Sequence, residues 1–163
     1  ELNLPYETLE QFGAKLGADV PFLVQGGTAF AEGIGEKLKP VTVEFPKAVL
    51  VATPHCAVPT KDAYAGVKPS GNVRWEQFRS AWNGTLSFEF YNKFEESVFP
   101  KYPMIQDLKN KLENLGAFKT LMSGSGASVF ALFDSEENAK KALAIIEPTV
   151  RFSRITLFKE KLI

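Results

Sequence analysis

The amino-acid sequence predicts an α+β protein: a ferredoxin-like split βαβ domain, preceded by one helix and a small β-meander. Two observations favour this class. From residue 48 onward, the apolar patterns follow the order strand, helix, strand, strand, helix, strand, which builds an antiparallel sheet covered by two helices on one side. Before residue 44 the segments are shorter and closely spaced glycines separate them. The sequence therefore predicts two parts, 1–43 and 44–163.

The first part begins with an amphipathic helix. Pro5 suits a first helical turn, apolar residues recur on one face, and Gly17 follows as a stop signal. The runs 20–24, 28–32 and 36–43 are each expected to form a strand, with glycines between them. Together these patterns predict a helix that leads into a three-stranded meander.

The second part has the more regular pattern. Pro103 stands near the start of one helix and Gly116 after its end, while Ser135 caps another helix ahead of two glutamates. A glycine-rich loop between two apolar runs suits a hairpin with a bulge or a wide turn. The predicted strands are 48–53, 119–122, 128–133 and 153–158, and the predicted helices are 102–115 and one that begins after Ser135.

An insertion, from about residue 59 to residue 98, separates the first strand of this unit from its helix. It contains two helix-like stretches, 74–82 and 88–98, that are rich in aromatic residues. Aromatic residues at helical spacing are usually core residues, so we interpret them as packing. They are Trp75, Phe78, Trp82, Phe90, Phe94 and Phe99.

The composition argues against several kinds of partner. Lysine and arginine balance aspartate and glutamate at 19 each, which leaves no excess positive charge for nucleic acid or an anionic membrane. The apolar runs are far shorter than the roughly 20 residues of a membrane-spanning helix. The single cysteine, Cys56, favours a reducing compartment, so a cytoplasmic location is expected. His55 and Cys56 have no second pair of ligands, so no metal site is expected.

Asp19 lies in the stretch Gly17-Ala18-Asp19-Val20-Pro21, which we expect to connect a helix end to a strand. Its small neighbours would let a substrate approach the backbone. A carboxylate here could accept the proton of an attacking hydroxyl during phosphoryl transfer. The alternative is an aspartate that caps a turn by accepting backbone N–H groups, and this pentapeptide alone favours that alternative.

The run Ser123-Gly124-Ser125-Gly126-Ala127 is a second candidate site. Consecutive N–H groups of glycines and small hydroxyl residues can form a nest that binds phosphate. The run lacks the helix that a dinucleotide fingerprint needs and the Lys-Ser/Thr ending of a Walker A loop. A plain glycine hairpin explains the run equally well.

Thr60 and Tyr64 form a third candidate, after the run Pro54-His55-Cys56-Ala57-Val58-Pro59. Thr60 is expected to cap a helix. Tyr64, four residues later, would lie on the same face, where its ring could stack on a flat base. A helix cap followed by a surface aromatic residue is an equally good interpretation.

Four ordered motifs together resemble the GHMP kinases, the superfamily of galactokinase, homoserine kinase, mevalonate kinase and phosphomevalonate kinase. Within that superfamily the match is closer to the 4-diphosphocytidyl-2-C-methyl-D-erythritol kinases of the non-mevalonate isoprenoid pathway. The resemblance covers nearly the whole chain. The motifs are Leu16-Gly17-Ala18-Asp19-Val20-Pro21-Phe22, Gly27-Thr28-Ala29-Phe30-Ala31-Glu32-Gly33-Ile34-Gly35-Glu36, Val58-Pro59-Thr60 with an aromatic residue at 64, and Met122-Ser123-Gly124-Ser125-Gly126-Ala127.

The resemblance implies a role for each matching position. Asp19 corresponds to the catalytic aspartate that activates the substrate hydroxyl for attack on the γ-phosphate of ATP, and Ala18 lies beside the substrate. Thr60 corresponds to a substrate-contacting threonine, and Tyr64 to an aromatic residue, often Phe, that stacks on cytosine. The loop 123–127 corresponds to a glycine loop near the phosphates. The implied cofactors are ATP and Mg²⁺, and the implied substrate is a small molecule.

The same resemblance implies that part of the enzyme lies outside this chain. Family members place a lysine, an asparagine and a glycine- and serine-rich phosphate loop upstream of the aspartate motif, and no such loop occurs in these 163 residues. We therefore expect 1–43 to be the tail of the N-terminal kinase domain and 44–163 to be the C-terminal domain. The missing N-terminal segment is the expected partner, and without it the chain is expected to be inactive. Residues 20–43 are expected to fray, to rearrange, or to self-associate through exposed strand edges.

Two other functions stay open at this point. One is a nonenzymatic ferredoxin-like module that binds a small ligand, since this fold supports many functions. The Asp19 motif argues against it, because such a module does not need that motif. The other is a GHMP kinase for another alcohol, such as homoserine or a mevalonate derivative. Tyr64 argues against that substrate class, because those alcohols have no flat ring on which it could stack.

Overall fold

A computed structural model describes residues 4–35, 37–40, 48–68 and 91–157 of the chain. These residues belong to two compact units. We call residues 4–40 the N-terminal unit and residues 48–157 the C-terminal unit, and each is described by itself. The assignment of the two units to the two domains of a kinase stays a prediction.

The N-terminal unit consists of two helices and one hairpin. Helix α1 (Tyr6–Leu16) ends at Gly17, as predicted, and the short helix α2 (Val20–Gln25) follows. Strands β1 (Ala29–Glu32) and β2 (Lys37–Pro40) then pair antiparallel, with Glu32 opposite Lys37.

The prediction of a strand at 20–24 is wrong, because these residues form helix α2. The meander is accordingly a two-stranded hairpin in the described residues. The run contains the β-branched Val20 and Val24, but Pro21 fits the first turn of a helix. The buried Gly13 on α1 also lets α2 approach closely, since a Cβ on Gly13 would lie 3.0 Å from Val20 Cγ1. Packing between the two helices therefore overrides the local strand preference.

The C-terminal unit is built on a four-stranded antiparallel sheet. Strand β3 lies inside the sheet, between β5 and β6, and β4 extends the sheet beyond β5. This spatial order confirms the ferredoxin-like split βαβ prediction. The strands are β3 (Ala48–Thr53), β4 (Lys119–Met122), β5 (Val129–Phe133) and β6 (Phe152–Thr156). The helices are α3 (Thr60–Ala65), α4 (Glu95–Val98), α5 (Pro103–Asn114) and α6 (Glu136–Ile146), and a 3₁₀ turn (Glu147–Thr149) follows α6.

The core of the C-terminal unit lies between its sheet and helices α5 and α6. Apolar residues at helical spacing on α5 and α6 meet alternate residues of β3 and β5 there. Helix α6 begins as predicted, because the Asn138 N–H donates to Ser135 Oγ at 3.2 Å. The largest fully buried side chains include Leu50, Ile105, Leu112, Phe133 and Ile146.

The predicted insertion is described only at its two ends. Helices α3 and α4 belong to it, and the side chains of Phe94 and Phe99 pack against the core, as predicted. The predicted helix at 74–82 and the residues Trp75, Phe78, Trp82 and Phe90 lie outside the described residues. None of the helices found in the described ranges combines the length and the apolar character that a membrane span requires.

Candidate active site

Asp19 lies between α1 and α2, so it precedes a helix and not the predicted strand. It occupies the N-cap position of α2, but its side chain makes no capping hydrogen bond. The residue is exposed. Its carboxylate is therefore accessible to a ligand and is not used to close the helix end.

Gly35 approaches the Asp19 carboxylate closely. A Cβ on Gly35 would lie 3.4 Å from Asp19 Oδ1 and 3.5 Å from the Ala18 carbonyl oxygen. The backbone φ of Gly35 is +118°, a conformation that side chains with a Cβ rarely adopt. The Gly35 N–H donates to the Glu32 carbonyl at 3.2 Å and so closes the turn between β1 and β2. In the sequence, Gly35 is a glycine between two predicted strands and a member of the motif 27–36, and neither feature indicates that it lies beside Asp19.

Thr60 is brought to the glycine loop. Its Oγ1 lies 3.4 Å from Ser125 Oγ, across 65 positions of sequence. The prediction that Thr60 caps its helix is wrong: Pro59 is the N-cap of α3, and Thr60 is the first helical residue. The hydroxyl is directed to Ser125 instead.

Tyr64 lies on α3 one turn after Thr60, as predicted, and its side chain is 65% exposed. Its ring forms a T-shaped pair with Phe94, with the centroids 4.8 Å apart and the planes at 72°. Helices α3 and α4 are also joined by the Ser97 hydroxyl, which donates to the Ala63 carbonyl at 3.2 Å. The phenol is therefore held on one side, while most of its surface is free to contact a ligand.

The glycine loop 123–127 closes the hairpin between β4 and β5. The Ser123 N–H donates to the Ser128 carbonyl at 2.8 Å, and the Gly126 N–H donates to the Ser123 carbonyl at 2.9 Å. Gly126 has no room for a side chain, because a Cβ there would lie 2.8 Å from Met122 Sδ. In the part of the chain that the structure describes, the N–H groups of Gly124 and Ser125 have no acceptor. The loop is thus a hairpin turn that also offers free N–H donors, as a phosphate nest requires.

Asn92 and Glu95 contact this loop from the insertion. The Asn92 side-chain amide donates to the carbonyl oxygens of Met122 and Gly124, at 2.7 and 2.8 Å. The Met122 N–H donates to Glu95 Oε1 at 2.8 Å. Neither residue was predicted from the sequence, because these contacts span about 30 positions and no local motif marks them.

Cys56 is poorly suited to nucleophilic catalysis. Burial raises the pKa of its thiol, and the nearby Arg151 guanidinium offsets part of that rise. His55 beside it is exposed. Across residues 4–35, 37–40, 48–68 and 91–157, no three His, Cys, Asp or Glu side chains are grouped so that they could hold a metal ion.

Comparison with known proteins decides the family. The family model described as GHMP kinases C terminal matches residues 76–148. A 4-diphosphocytidyl-2-C-methyl-D-erythritol kinase from Bacteroides fragilis is 40% identical over 146 residues, which cover 86% of this chain and 52% of the relative. A kinase of the same name from Thermodesulfovibrio yellowstonii is 33% identical over 159 residues, covering 90% of this chain and 55% of the relative. The chain belongs to the GHMP kinase family.

Solved structures agree with this membership. A crystal structure of a 4-(cytidine 5'-diphospho)-2C-methyl-D-erythritol kinase matches with a TM-score of 0.70 and 29% identity, over 90% of this chain and 55% of that one. A homoserine kinase from Cytophaga hutchinsonii matches with a TM-score of 0.72 over 96% of this chain and 58% of that one, and its 20% identity speaks for the fold alone.

The GHMP kinase resemblance of the four motifs is thereby confirmed, as is the ferredoxin-like class of the C-terminal domain. The chain spans about half the length of the curated relatives that it matches. In the C-terminal unit the structure brings together Thr60 and the glycine loop. In the N-terminal unit it brings together Asp19, Ala18 and Gly35.

Proposed function

We propose that this chain is the C-terminal portion of a kinase that transfers the γ-phosphate of ATP to the 2-hydroxyl of 4-diphosphocytidyl-2-C-methyl-D-erythritol. The reaction belongs to the non-mevalonate synthesis of isoprenoid precursors. Relatives with that printed name align over 86% or more of the chain. Because no apolar span was predicted and the single Cys56 needs no oxidising compartment, the proposed location is the cytoplasm.

The observation that carries the proposal is the contact between Thr60 and Ser125. Two motifs that the family resemblance assigns to one site are 65 positions apart in sequence, and their hydroxyl groups lie 3.4 Å from each other. The pairing of β3 with β5 brings the segment after Thr53 close to this loop, and the contact then places the two hydroxyl groups side by side. The pair supports a shared role in holding the diphosphate and the alcohol of the substrate.

Asp19 is proposed as the general base. The substrate hydroxyl oxygen attacks the γ-phosphorus, its proton passes to the Asp19 carboxylate, and ADP leaves with the electrons of the broken P–O bond. An exposed carboxylate without a capping bond supports this role, since both of its oxygens are available to accept the proton. Ala18, beside it, is proposed to contact the substrate through its backbone carbonyl.

The glycine loop is proposed to bind phosphate oxygens. The N–H groups of Gly124 and Ser125, which have no acceptor among the described residues, fit an anion, and the Ser123 and Ser125 hydroxyls add donors. ATP is the proposed phosphate donor, and Mg²⁺ is proposed to arrive bound mainly by the nucleotide phosphates, as this ion usually does.

Tyr64 is proposed to select the cytosine ring. Its largely exposed phenol, which forms a T-shaped pair with Phe94, offers a face to a flat base. Homoserine and mevalonate derivatives have no such base. Stacking of one base on an aromatic side chain is worth about 1–3 kcal/mol, so this residue can separate the two substrate classes.

The test is an ADP-release assay of the enzyme that carries this chain as its C-terminal portion, with the cytidine substrate, homoserine and mevalonate offered separately. The Asp19→Asn variant is expected to lose about 10²- to 10⁴-fold in kcat with little change in KM. The Tyr64→Ala variant is expected to raise KM for the cytidine substrate about 5- to 150-fold. Asp107→Asn and Phe118→Ala, which change an exposed carboxylate and an exposed aromatic ring elsewhere in the C-terminal unit, serve as matched controls.

Two results would overturn the proposal. Turnover of Asp19→Asn equal to that of Asp107→Asn would remove Asp19 from the mechanism. Faster phosphorylation of homoserine or mevalonate than of the cytidine substrate would assign another alcohol to this GHMP kinase.

A further inference from the structure

Asn92 makes three hydrogen bonds that use its whole side chain. Its Nδ2 donates to the Met122 carbonyl at 2.7 Å and to the Gly124 carbonyl at 2.8 Å. Its Oδ1 accepts the Phe94 N–H at 3.0 Å. The side chain is thereby fixed just before α4, and it binds the last residue of β4 and the glycine loop that follows. From this geometry we infer that Asn92 is a positioning residue for the loop 123–127.

Glu95 binds the backbone N–H of Met122, the residue whose carbonyl Asn92 binds. Its Oε1 accepts the Met122 N–H at 2.8 Å, and its Oε2 lies 2.7 Å from Lys109 Nζ. The side chains of this ion pair are only 15% and 19% exposed, so the contact is shielded from water. Both peptide groups that flank Met122 Cα are therefore held by side chains of the segment 92–95, ahead of the loop.

The hydrogen bond from Asn92 to the Gly124 carbonyl determines the direction of the Ser125 N–H. The peptide between Gly124 and Ser125 is trans, and in a trans peptide the C=O and the N–H point in opposite directions. Since the Gly124 carbonyl faces Asn92, the Ser125 N–H must point away from it. This N–H is one of the two loop donors without an acceptor in the described residues, and the Ser125 hydroxyl contacts Thr60. Asn92 therefore orients a donor of the proposed phosphate site without touching the ligand.

Only an amide serves this purpose at position 92. The side-chain NH₂ of asparagine supplies two donors to two carbonyl oxygens, whereas a carboxylate accepts only. Asn92→Asp keeps the size of the side chain and its acceptor for Phe94, but it places a negative charge 2.7–2.8 Å from two carbonyl oxygens. Asn110→Asp is the matched control, because Asn110 is an exposed residue of α5.

The first measurement is the ¹H–¹⁵N NMR spectrum of the 163-residue chain. Asn92→Asp is expected to shift or broaden the amide signals of Gly124 and Ser125 and to leave those of β3 in place. Asn110→Asp is expected to leave all of them in place. Asn92→Ser, which is too short to reach both carbonyls and adds no charge, is expected to disturb the same loop signals, and it replaces the aspartate variant if that variant does not fold. Unchanged loop signals in the folded Asn92 variant would overturn the inference.

The second measurement is kinetic, and it rests on the proposed function. In the enzyme that carries this chain, Asn92→Asp is expected to lower kcat about 10- to 100-fold, the size of effect that misplaced groups produce. KM for the alcohol should change less than about threefold, because Tyr64 and Thr60 are kept. A kcat equal to that of Asn110→Asp, with a disturbed loop, would overturn the role in the reaction. A parent enzyme inactive on the cytidine substrate would refute the proposed function alone, because the NMR result decides the positioning separately.

Discussion

The two units of this chain differ in how far each encloses its own apolar residues. In the C-terminal unit, Leu50 and Phe133 are 0% exposed between the sheet and two helices. In the N-terminal unit, Phe12, Leu16 and Ile34 are 51%, 83% and 81% exposed. An open hairpin and two helices leave most of their apolar surface in contact with water, whereas a four-stranded sheet with two helices closes a core. Stability should therefore be concentrated in the C-terminal unit.

The units also divide the proposed chemistry. Asp19, the proposed base, is exposed in the unit that encloses little apolar surface, and its turn partner Gly35 lies there too. Apart from Ala18, the proposed ligand-binding residues lie on α3 or on the loop between β4 and β5 of the C-terminal unit. Binding groups placed on a rigid scaffold keep their geometry, because packing restrains the elements that carry them.

The largest expected difference between the units is the loss of stability when one phenylalanine in each is truncated. Phe133→Ala is expected to lower the free energy of unfolding by about 3–5 kcal/mol, because it leaves a cavity in the core. Phe12→Ala, its matched control on the exposed face of α1, is expected to change that free energy by less than about 0.5 kcal/mol. Urea denaturation followed by circular dichroism measures both. Equal losses would mean that the N-terminal unit is packed as tightly as the C-terminal one.

An intermediate effect is expected in hydrogen exchange. Amides of β3 and β5 should exchange at least about 100-fold more slowly than those of α1 and the β1–β2 hairpin, a difference of about 2.7 kcal/mol in opening free energy. The measurement is native-state exchange read by mass spectrometry at several protein concentrations. Slower exchange of the hairpin at high concentration would indicate pairing between copies through its edges. Equal exchange protection of the two units in a strictly monomeric sample would contradict the expected difference in their stability.

The smallest expected effect concerns helix ends. Helix α6 has a side-chain cap in Ser135, whereas α1 begins after Pro5 without one. Ser135→Ala is expected to lower the free energy of unfolding by about 1 kcal/mol, and Ser135→Asp should restore it to within a few tenths of a kcal/mol. The melting temperatures of the three proteins test this. A loss that Ser135→Asp does not restore would show that the serine acts through packing and not as a cap.

The described residues of the C-terminal unit, 48–68 and 91–157, were largely predictable from the sequence because local signals and tertiary packing agree there. The apolar run 48–53 is a strand in which five of six residues are buried, and Ser135 caps its helix as its neighbours indicate. The order of these elements favours the ferredoxin-like topology, because the rules that govern strand connections leave few other arrangements. The motifs around Asp19, Thr60 and Ser123 likewise placed the chain among the GHMP kinases before any contact was known.

Tertiary structure alone decided the points at which local preference and packing disagree. Residues 20–24 include strand-forming side chains, yet they form α2, which packs closely against Gly13. Thr60 has the chemistry of a cap, yet its hydroxyl faces Ser125. Asn92 has no local signature, because its three partners include carbonyls 30 and 32 positions away. The sequence determined which residues could do chemistry, and the fold decided which of them meet, because hydrogen bonds depend on distances in space and not on separation along the chain.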